Sequence, residues 1–255
     1  MAAPPIRRVF LVGRETGSLV EEFAAAGIAV ADAPQDADAI VCHGGDGTLI
    51  GAERDHPGVP KVPVRPDARY IKCARHQNAA LFGRLARGEQ SVTRLPLLEA
   101  RVGERRLIAV NDVVLHNAKV TSAVRYRVWI DGAPYSDVIV GDGLVASTPF
   151  GSTAYYRSIT NSVIRVGLGL AFNNSTEAVN HLVLNEDALV EVEIERGPAV
   201  LVDDNNLEPV PLGEGDRIAI RFSGGHATIF ELETLLCMDC RQRATGRPAG
   251  SLHVR

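Results

Sequence analysis

The sequence lacks three features that assign many proteins to a class at once: a long apolar run, a cysteine framework and an excess of basic residues. No stretch approaches the roughly 20 apolar residues of a transmembrane helix, and the apolar start at residues 1–12 is too short for a signal peptide. The formal net charge of -4 disfavours a general nucleic-acid-binding protein. We therefore expect a cytoplasmic protein with no membrane and no nucleic-acid partner.

The sequence contains four cysteines, which we expect to be free rather than paired in a disulfide framework. In a reducing compartment such residues are expected to be free thiols. Cys237 and Cys240 form one C-x-x-C, which is half of a zinc site, and no second half lies near it in the sequence. We therefore predict no metal-ligating residues. The full set of cysteines is Cys42, Cys73, Cys237 and Cys240.

The first third of the chain has the pattern of an α/β domain. Short apolar strands are predicted at residues 9–12 and 39–42, and each is followed by a glycine-containing loop and then by a helical segment, at residues 18–26 and 48–54. Strand, glycine loop and helix in that order are typical of a parallel sheet that binds ligands at the carboxyl ends of its strands. We predict this domain over residues 1–92.

From residue 95 onward the pattern changes to short β-branched runs separated by turns. Asp131-Gly132 between two such runs indicates a tight hairpin. Several strands at this spacing predict an antiparallel β-sandwich over residues 93–230, and the tail at 231–255 is expected to pack back on the N-terminal domain. The predicted strands are 106–115, 124–130, 138–145, 188–195 and 217–222.

Gly44-Gly45-Asp46-Gly47-Thr48 follows a predicted buried strand. Glycines leave the backbone N–H groups unshielded, so that phosphates can approach them and the start of the next helix. A carboxylate in such a loop is explained if Asp46 accepts a proton from an attacking hydroxyl or helps to place a metal between phosphates. The alternative is a tight turn in which Asp46 caps the following helix.

Residues 142–155 form a second notable stretch, in which a strand runs into a loop dense in hydroxyls. Hydroxyl and backbone groups of such a loop suit hydrogen bonding to a purine and a ribose, and Tyr155 offers a face for stacking. Hydroxyl clusters are also ordinary in loops, and Tyr155 would equally suit a core. The residues alone leave both interpretations open.

Together, G-G-D-G-T at 44–48 and D-G-L-x-x-S-T-P-x-G-S-T-A-Y at 142–155 resemble the NAD kinase family. Lipid kinases and phosphofructokinases share the first motif, whereas the second is far more specific. Asn111-Asp112 stands where the family carries Asn-Glu. The resemblance implies an active site between an α/β domain and a β-sandwich, ATP and NAD as substrates, Mg²⁺ or another divalent cation, and a homodimer or homotetramer.

The resemblance also implies roles for individual residues. Asp46 is expected to act as the base near the 2′-hydroxyl of NAD, and Asp142 is expected to lie toward the nicotinamide. The donor phosphates are expected on Gly44, Gly45, Gly47 and Thr48. Substrate contacts are expected from Gly45, Gly47, Asn111, Asp112, Asp142, Thr153, Ala154, Tyr155 and Ser158.

Two other functions stay open at this point. One is a kinase for another hydroxylated acceptor on the same scaffold, and the other is a catalytically weak nucleotide-binding regulator. A carboxylate beside phosphates is of no use to a mere binder, so Asp46 argues against the regulator. A basic cluster is either a solvated face or a contact for donor phosphates, and it consists of Arg65, Arg69, Lys72, Arg75 and His76.

Overall fold

The computed structural model describes residues 3–66 and 72–245. The chain forms two compact units. Unit 1 comprises Met1–Arg94 together with Ala227–Arg255, and unit 2 comprises Leu95–His226.

Unit 1 is built on a parallel sheet with helices around it. The strand order is β2-β1-β3-β4, followed by the end of β17, which pairs with β4 through Ile229 and Lys61. The strands are β1 Arg8–Gly13, β2 Ala29–Val30, β3 Ala39–His43, β4 Lys61–Val64 and the last residues of β17 Arg217–Phe230. The helices are α1 Gly17–Ala25, α2 Asp46–Asp55, α3 Asn78–Arg87, α5 Glu233–Leu236 and α6 Met238–Thr245.

Burial explains why these segments pack as they do. All five residues of β3 are buried, as expected for a central parallel strand that is covered on both faces. Phe23 of α1 stacks on Phe82 of α3 with a centroid separation of 3.8 Å. Helix α3 ends at Gly88, which has the left-handed φ of 73° that favours glycine as a helix stop.

Unit 2 is an antiparallel sandwich of two sheets. One has the order β10-β8-β14-β17, with β5, β6 and β9 paired at its sides, and the other has the order β13-β12-β11-β7-β15-β16. The first sheet contains β5 Val92–Val102, β6 Arg105–Ala109, β8 Val124–Ile130, β9 Ala133–Pro134, β10 Ile139–Gly141, β14 Val190–Arg196 and β17. The second contains β7 Asp112–Asn117, β11 Gly143–Ser147, β12 Leu168–Asn173, β13 His181–Leu184, β15 Ala199–Asp203 and β16 Val210–Leu212; α4 Tyr155–Thr160 follows β11.

Alternate residues of both sheets form the core of the sandwich. Tyr126 and Val128 of the first sheet and Leu115 and Leu170 of the second belong to one buried cluster. The parallel α/β unit and the antiparallel sandwich confirm the predicted fold class. The predicted hairpin is also present: Asp131 and Gly132, at φ of 52° and 77°, join β8 to β9.

Three predicted strands differ from the observed ones. The segment 106–115 is divided because the N–H groups of Val110 and Asn111 donate to the Asp204 carboxylate instead of to a strand. The segment 138–145 is divided at Asp142, and the following Gly143 has a φ of 139°. The strand that starts at residue 217 continues to residue 230.

Across the described ranges, no helix combines the length and apolar character needed to cross a membrane.

Candidate active site

The glycine loop of unit 1 lies at the carboxyl ends of three neighbouring strands. Strand β3 ends at His43, and the carbonyl of this residue accepts a hydrogen bond of 3.4 Å from the N–H of Arg14, which follows β1. The N–H of Gly44 donates to the carbonyl of Val64, the last residue of β4, at 2.9 Å. This edge of a parallel sheet is where α/β proteins bind ligands.

The two glycines that precede α2 serve different purposes. A Cβ atom on Gly44 would lie 2.1 Å from Thr48 Oγ1, so Gly44 lets the first turn of α2 approach the loop. Because its N–H is bonded to Val64, Gly44 does not offer that group to a phosphate. A Cβ atom on Gly45 would meet nothing within 4 Å. The backbone at Gly45 therefore faces open space.

Asp46 is the exposed first residue of α2. The N-cap position is taken by Gly45, and no side chain caps this helix, so the interpretation of Asp46 as the helix cap is not supported. The positive end of the helix dipole stabilises a carboxylate at this position. His43 is buried with Nδ1 2.6 Å from the Arg14 carbonyl, which indicates a structural role.

In unit 2, one carboxylate positions the Asn111-Asp112 pair. Asp204 accepts hydrogen bonds from the N–H groups of Val110 at 2.8 Å, Asn111 at 2.7 Å and Asp112 at 3.1 Å. Its own N–H donates to the carbonyl of Asp112 at 2.9 Å, and its φ is 50°. Sequence analysis missed Asp204. Its only signal is the polar run Asp203-Asp204-Asn205-Asn206, which is also typical of an ordinary turn.

The side chains of the Asn111-Asp112 pair are buried, and one of their oxygen acceptors has no partner among the described residues. Asn111 is 8% exposed, and its Oδ1 atom has no hydrogen-bond partner among the described residues. Asp112 is 6% exposed, and burial together with the nearby charge of Asp204 raises its pKa to about 7. An orphaned buried acceptor calls for an explanation. A ligand that carries hydroxyl donors, such as a ribose, provides one.

The hydroxyl-rich loop is tied to the same pair. Thr148 Oγ1 donates to the carbonyl of Val110 at 2.7 Å and accepts from the N–H of Gly151 at 3.0 Å. A Cβ atom on Gly151 would lie 2.1 Å from the Asn111 carbonyl oxygen, so only glycine permits this approach. Ser147, Thr148 and Ser152 are fully buried, so these hydroxyls hold the loop together.

Tyr155, the first residue of α4, is half-buried, whereas the next residue, Tyr156, is fully buried in the core. The Tyr155 hydroxyl accepts from Asn173 Nδ2 at 3.0 Å. Burial raises the pKa of Tyr155, and the charges of Asp142 and Asp112 raise it further. Both carboxylates therefore lie near this side chain, and unit 2 brings the three residues into one neighbourhood.

The remaining predicted substrate contacts lie around Tyr155. Asp142 accepts from Asn174 Nδ2 at 3.1 Å and from Asn117 Nδ2 at 3.4 Å. Thr153, Ala154 and Ser158 are exposed. Ser158 Oγ donates to the Tyr155 carbonyl at 2.7 Å, and Thr153 Oγ1 donates to the Phe150 carbonyl at 3.3 Å. Both hydroxyl oxygens keep lone pairs for a ligand.

The predicted basic cluster is engaged within unit 1. Arg65 donates to the carbonyls of Thr234 at 3.3 Å and Leu235 at 2.8 Å. Arg75 forms an ion pair of 2.9 Å with Glu233, and Lys72 donates to Asn78 Oδ1 at 2.5 Å. His76 is buried, and Arg69 lies outside the described residues. The described members therefore make contacts within unit 1, and Arg75 stays exposed to solvent.

The fold brings two further potential metal ligands close to the C-x-x-C pair. The ligand atoms of Cys73, His76, Cys237 and Cys240 all lie within 4.8 Å of one another. The sequence shows no second half near the pair because residues 73–76 are remote in sequence and only the fold brings them close to it.

Comparison with known proteins identifies similar sequences and structures. Residues 110–232 match the family model of the ATP-NAD kinase C-terminal domain. The NAD kinase of Halorubrum lacusprofundi is 32% identical over 194 residues, which cover 71% of this chain and 70% of that relative. The NAD kinase of Methylococcus capsulatus is 30% identical over 202 residues, which cover 73% and 69%.

Two solved structures share the fold. Yeast NADH kinase complexed with NADH aligns with a TM-score of 0.76 at 16% identity, over 99% of this chain and 91% of that one. An NAD kinase from Archaeoglobus fulgidus in complex with ATP aligns with a TM-score of 0.71 at 20% identity, over 93% and 98%. With relatives at 30% identity and above over about 70% of their length, the chain belongs to the NAD kinase family.

Proposed function

We propose that this protein is an NAD kinase, which transfers the γ-phosphoryl group of ATP to the 2′-hydroxyl of NAD and thereby produces NADP. Family membership supports this activity. The observation that carries it is the buried Asn111-Asp112 pair: Asn111 Oδ1 has no partner among the described residues, and the Asp112 carboxylate lies near Tyr155. Such acceptors match the hydroxyls of a ribose.

On the acceptor side, each residue has a distinct task. Asn111 Oδ1 and the Asp112 carboxylate accept hydrogen bonds from ribose hydroxyls, and Asp204 keeps both backbones in place. Tyr155 stacks on the adenine. Thr153, Ala154 and Ser158 surround the same ring, and Asp142 lies toward the nicotinamide.

On the donor side, the loop before α2 receives the phosphates. The bare Cα of Gly45 leaves room for them, and the N-terminal end of α2, with Gly47 and Thr48, favours their negative charge. Gly44 supports this loop through its contact with Thr48 rather than through its N–H.

In the chemical step, Asp46 takes the proton of the 2′-hydroxyl. The ribose oxygen forms a bond to the γ-phosphorus as the bond from that phosphorus to the β,γ-bridging oxygen breaks, and ADP leaves. The exposed carboxylate of Asp46 also fits a hard cation, because Mg²⁺ prefers one or two carboxylate oxygens together with substrate phosphates. When it is bound, Mg²⁺ neutralises charge on the phosphates.

The assay for this activity combines the purified protein with Mg²⁺, a phosphate donor and NAD or NADH, and an NADP-specific dehydrogenase reports NADP. ATP, other nucleoside triphosphates and polyphosphate are compared as donors. Steady formation of NADP supports the proposal. Phosphorylation of a different hydroxylated compound without any NADP would identify another kinase, and NAD binding without turnover would identify a regulator.

The remaining expectations concern the protein in the cell. We propose that it is a cytoplasmic homodimer or homotetramer, on the resemblance of its motifs to the family. Analytical ultracentrifugation of the purified protein measures the oligomeric state, and a single monomeric species would contradict it. Fractionation of cells that produce the protein tests the location, which a membrane-bound pool would contradict.

A further inference from the structure

Four side chains of types that bind metals lie close together in unit 1, although they come from two segments that are remote in sequence. Cys73 precedes a short 3-10 turn after β4, and His76 is the last residue of that turn. Cys237 lies between α5 and α6, and Cys240 lies in the first turn of α6. Their ligand atoms lie within 4.8 Å of one another. His76 Nδ1 is 3.3 Å from Cys73 Sγ and 3.4 Å from Cys240 Sγ.

These separations are close to those of a tetrahedral zinc site. With Zn–S near 2.3 Å and Zn–N near 2.0 Å, a tetrahedron places nitrogen and sulfur ligands about 3.5 Å apart and two sulfurs about 3.8 Å apart. Three thiols and one imidazole form one of the common sets for structural zinc, and the spacings C-x-x-H and C-x-x-C suit it.

Burial and polarity also indicate an ion. His76 is 4% exposed and Cys240 is 6% exposed. Nδ1 of the imidazole faces Sγ of Cys73 and of Cys240, and the N–H of Cys73 donates to Cys240 Sγ at 3.4 Å. Buried thiols around one imidazole nitrogen form a set of donors that a cation would bind.

Other contacts join the segment at residues 63–75 to the segment at residues 233–235. Thr234 Oγ1 donates to the carbonyl of Pro63 at 2.9 Å, and Arg65 donates to the carbonyl of Leu235 at 2.8 Å. The Arg75–Glu233 ion pair adds a third link between the same two segments. The ligands are therefore placed by contacts that do not require the metal.

We propose that Cys73, His76, Cys237 and Cys240 bind one structural zinc ion, which fastens the C-terminal segment to the parallel sheet of unit 1. With all four positions filled by protein ligands, this ion has no open position for substrate and takes no part in phosphoryl transfer. It closes a loop of more than 150 residues, since His76 and Cys240 are 164 positions apart. Closing so long a loop strongly restricts the conformations that the unfolded chain can adopt.

The test measures metal in the full-length protein, produced without a histidine tag in zinc-supplemented medium. Mass spectrometry of the metal content should find one zinc per chain. Exchange with Co²⁺ should give the intense visible bands of tetrahedral thiolate ligation. Cys73→Ser and Cys240→Ser should each weaken zinc by more than the roughly 10- to 100-fold that loss of an outer partner costs.

Cys42→Ser is the matched control because Cys42 is a buried cysteine of β3 outside the cluster. It should keep zinc and the Co²⁺ spectrum. If Cys240→Ser does not fold, the half-buried Cys73 provides the decisive variant. A wild-type protein without zinc, a cluster disulfide, an iron–sulfur absorption spectrum, or unchanged zinc affinity in Cys73→Ser would each overturn the proposal.

Discussion

Asp46 combines exposure with a place at the positive end of α2, and its substitution tests the proposed proton acceptor. Asp46→Asn keeps the shape of the side chain but removes its charge and basicity. We expect kcat to fall by about 10²–10⁴-fold, the usual contribution of a positioned base, with thermal stability and NAD affinity little changed. Steady-state kinetics with saturating ATP and NAD measures this loss.

The control for this substitution is Asp55→Asn, at the exposed far end of the same helix. That variant should retain wild-type kcat. A near-normal kcat for Asp46→Asn would remove the base from the mechanism and leave positioning and electrostatics to explain the transfer.

Asp112 should make the stability of the protein depend on pH. Its folded pKa is about 7, against 3.8 as the ordinary value, so between these pH values the folded state holds more protons than the unfolded state. The free energy of unfolding therefore falls as pH rises from about 4 to about 7, by up to about 1.4 kcal/mol per pH unit, and is flat above that range.

Urea denaturation of the wild type and of Asp112→Asn at several pH values measures this pH dependence of the free energy of unfolding. The variant should become more stable relative to the wild type as pH rises through this range. Asp137→Asn, at an exposed position of unit 2, should follow the wild-type profile. Parallel profiles for wild type and Asp112→Asn would show that Asp112 ionises normally in the folded protein.

At the scale of elements, the loop that joins β3 to α2 contains Gly44, which has a structural contact, and Gly45, which we propose lies beside the donor phosphates. Gly44→Ala should destabilise the protein because its Cβ would lie 2.1 Å from Thr48 Oγ1. Gly45→Ala meets no atom within 4 Å and should preserve the melting temperature, but it should raise KM for ATP because the methyl group occupies the proposed phosphate space. Thermal melts and kinetics of both variants give the comparison, and an unchanged KM in Gly45→Ala would place the phosphates elsewhere.

A buried ion pair links α2 to β4. Lys61 is fully buried and donates to Glu53, which is 5% exposed, and burial lowers the pKa of Lys61. Lys61→Met leaves the Glu53 charge without its partner and should cost about 3–5 kcal/mol of unfolding free energy. Adding Glu53→Gln should restore much of this loss, as measured by urea denaturation. Equal stability of Lys61→Met and of the double variant would show that the unpaired Glu53 charge is not the cause of the loss.

Sequence patterns were most informative where local chemistry determines structure. The apolar run at 39–42 and the Asp131-Gly132 turn contain their own signals, so β3 and the β8–β9 hairpin were predictable. The break before β7 was not, because it depends on Asp204, which lies 92 residues away from Asp112. The same holds for the cysteine cluster, whose two halves meet only after long-range folding.

At the scale of the whole molecule, the two units differ in how the chain builds them. Unit 2 is one continuous segment and contains the complete sandwich core. Unit 1 needs both ends of the chain, because Phe230 belongs to its core and Ile229 pairs with Lys61. We expect a fragment of residues 95–226 to unfold cooperatively in urea, whereas residues 1–94 alone should not.

Circular dichroism during urea titration of both fragments tests this difference. Addition of a peptide covering residues 227–255 should increase the structure of the N-terminal fragment. A cooperative transition in residues 1–94 alone would show that the last strand is dispensable, and an unfolded 95–226 fragment would show that the sandwich depends on unit 1.

The insertion of unit 2 within unit 1 also imposes an order on synthesis. Chains grow at roughly 5–20 residues per second, so strands β1, β3 and β4 leave the ribosome on the order of ten seconds before residues 227–230 follow. During that interval the edge of β4 has no neighbouring strand from β17 and resembles the open edges that aggregate. All of unit 2 is thus synthesised before the last strand of unit 1. Strand β4 is the one for which a chaperone would matter most.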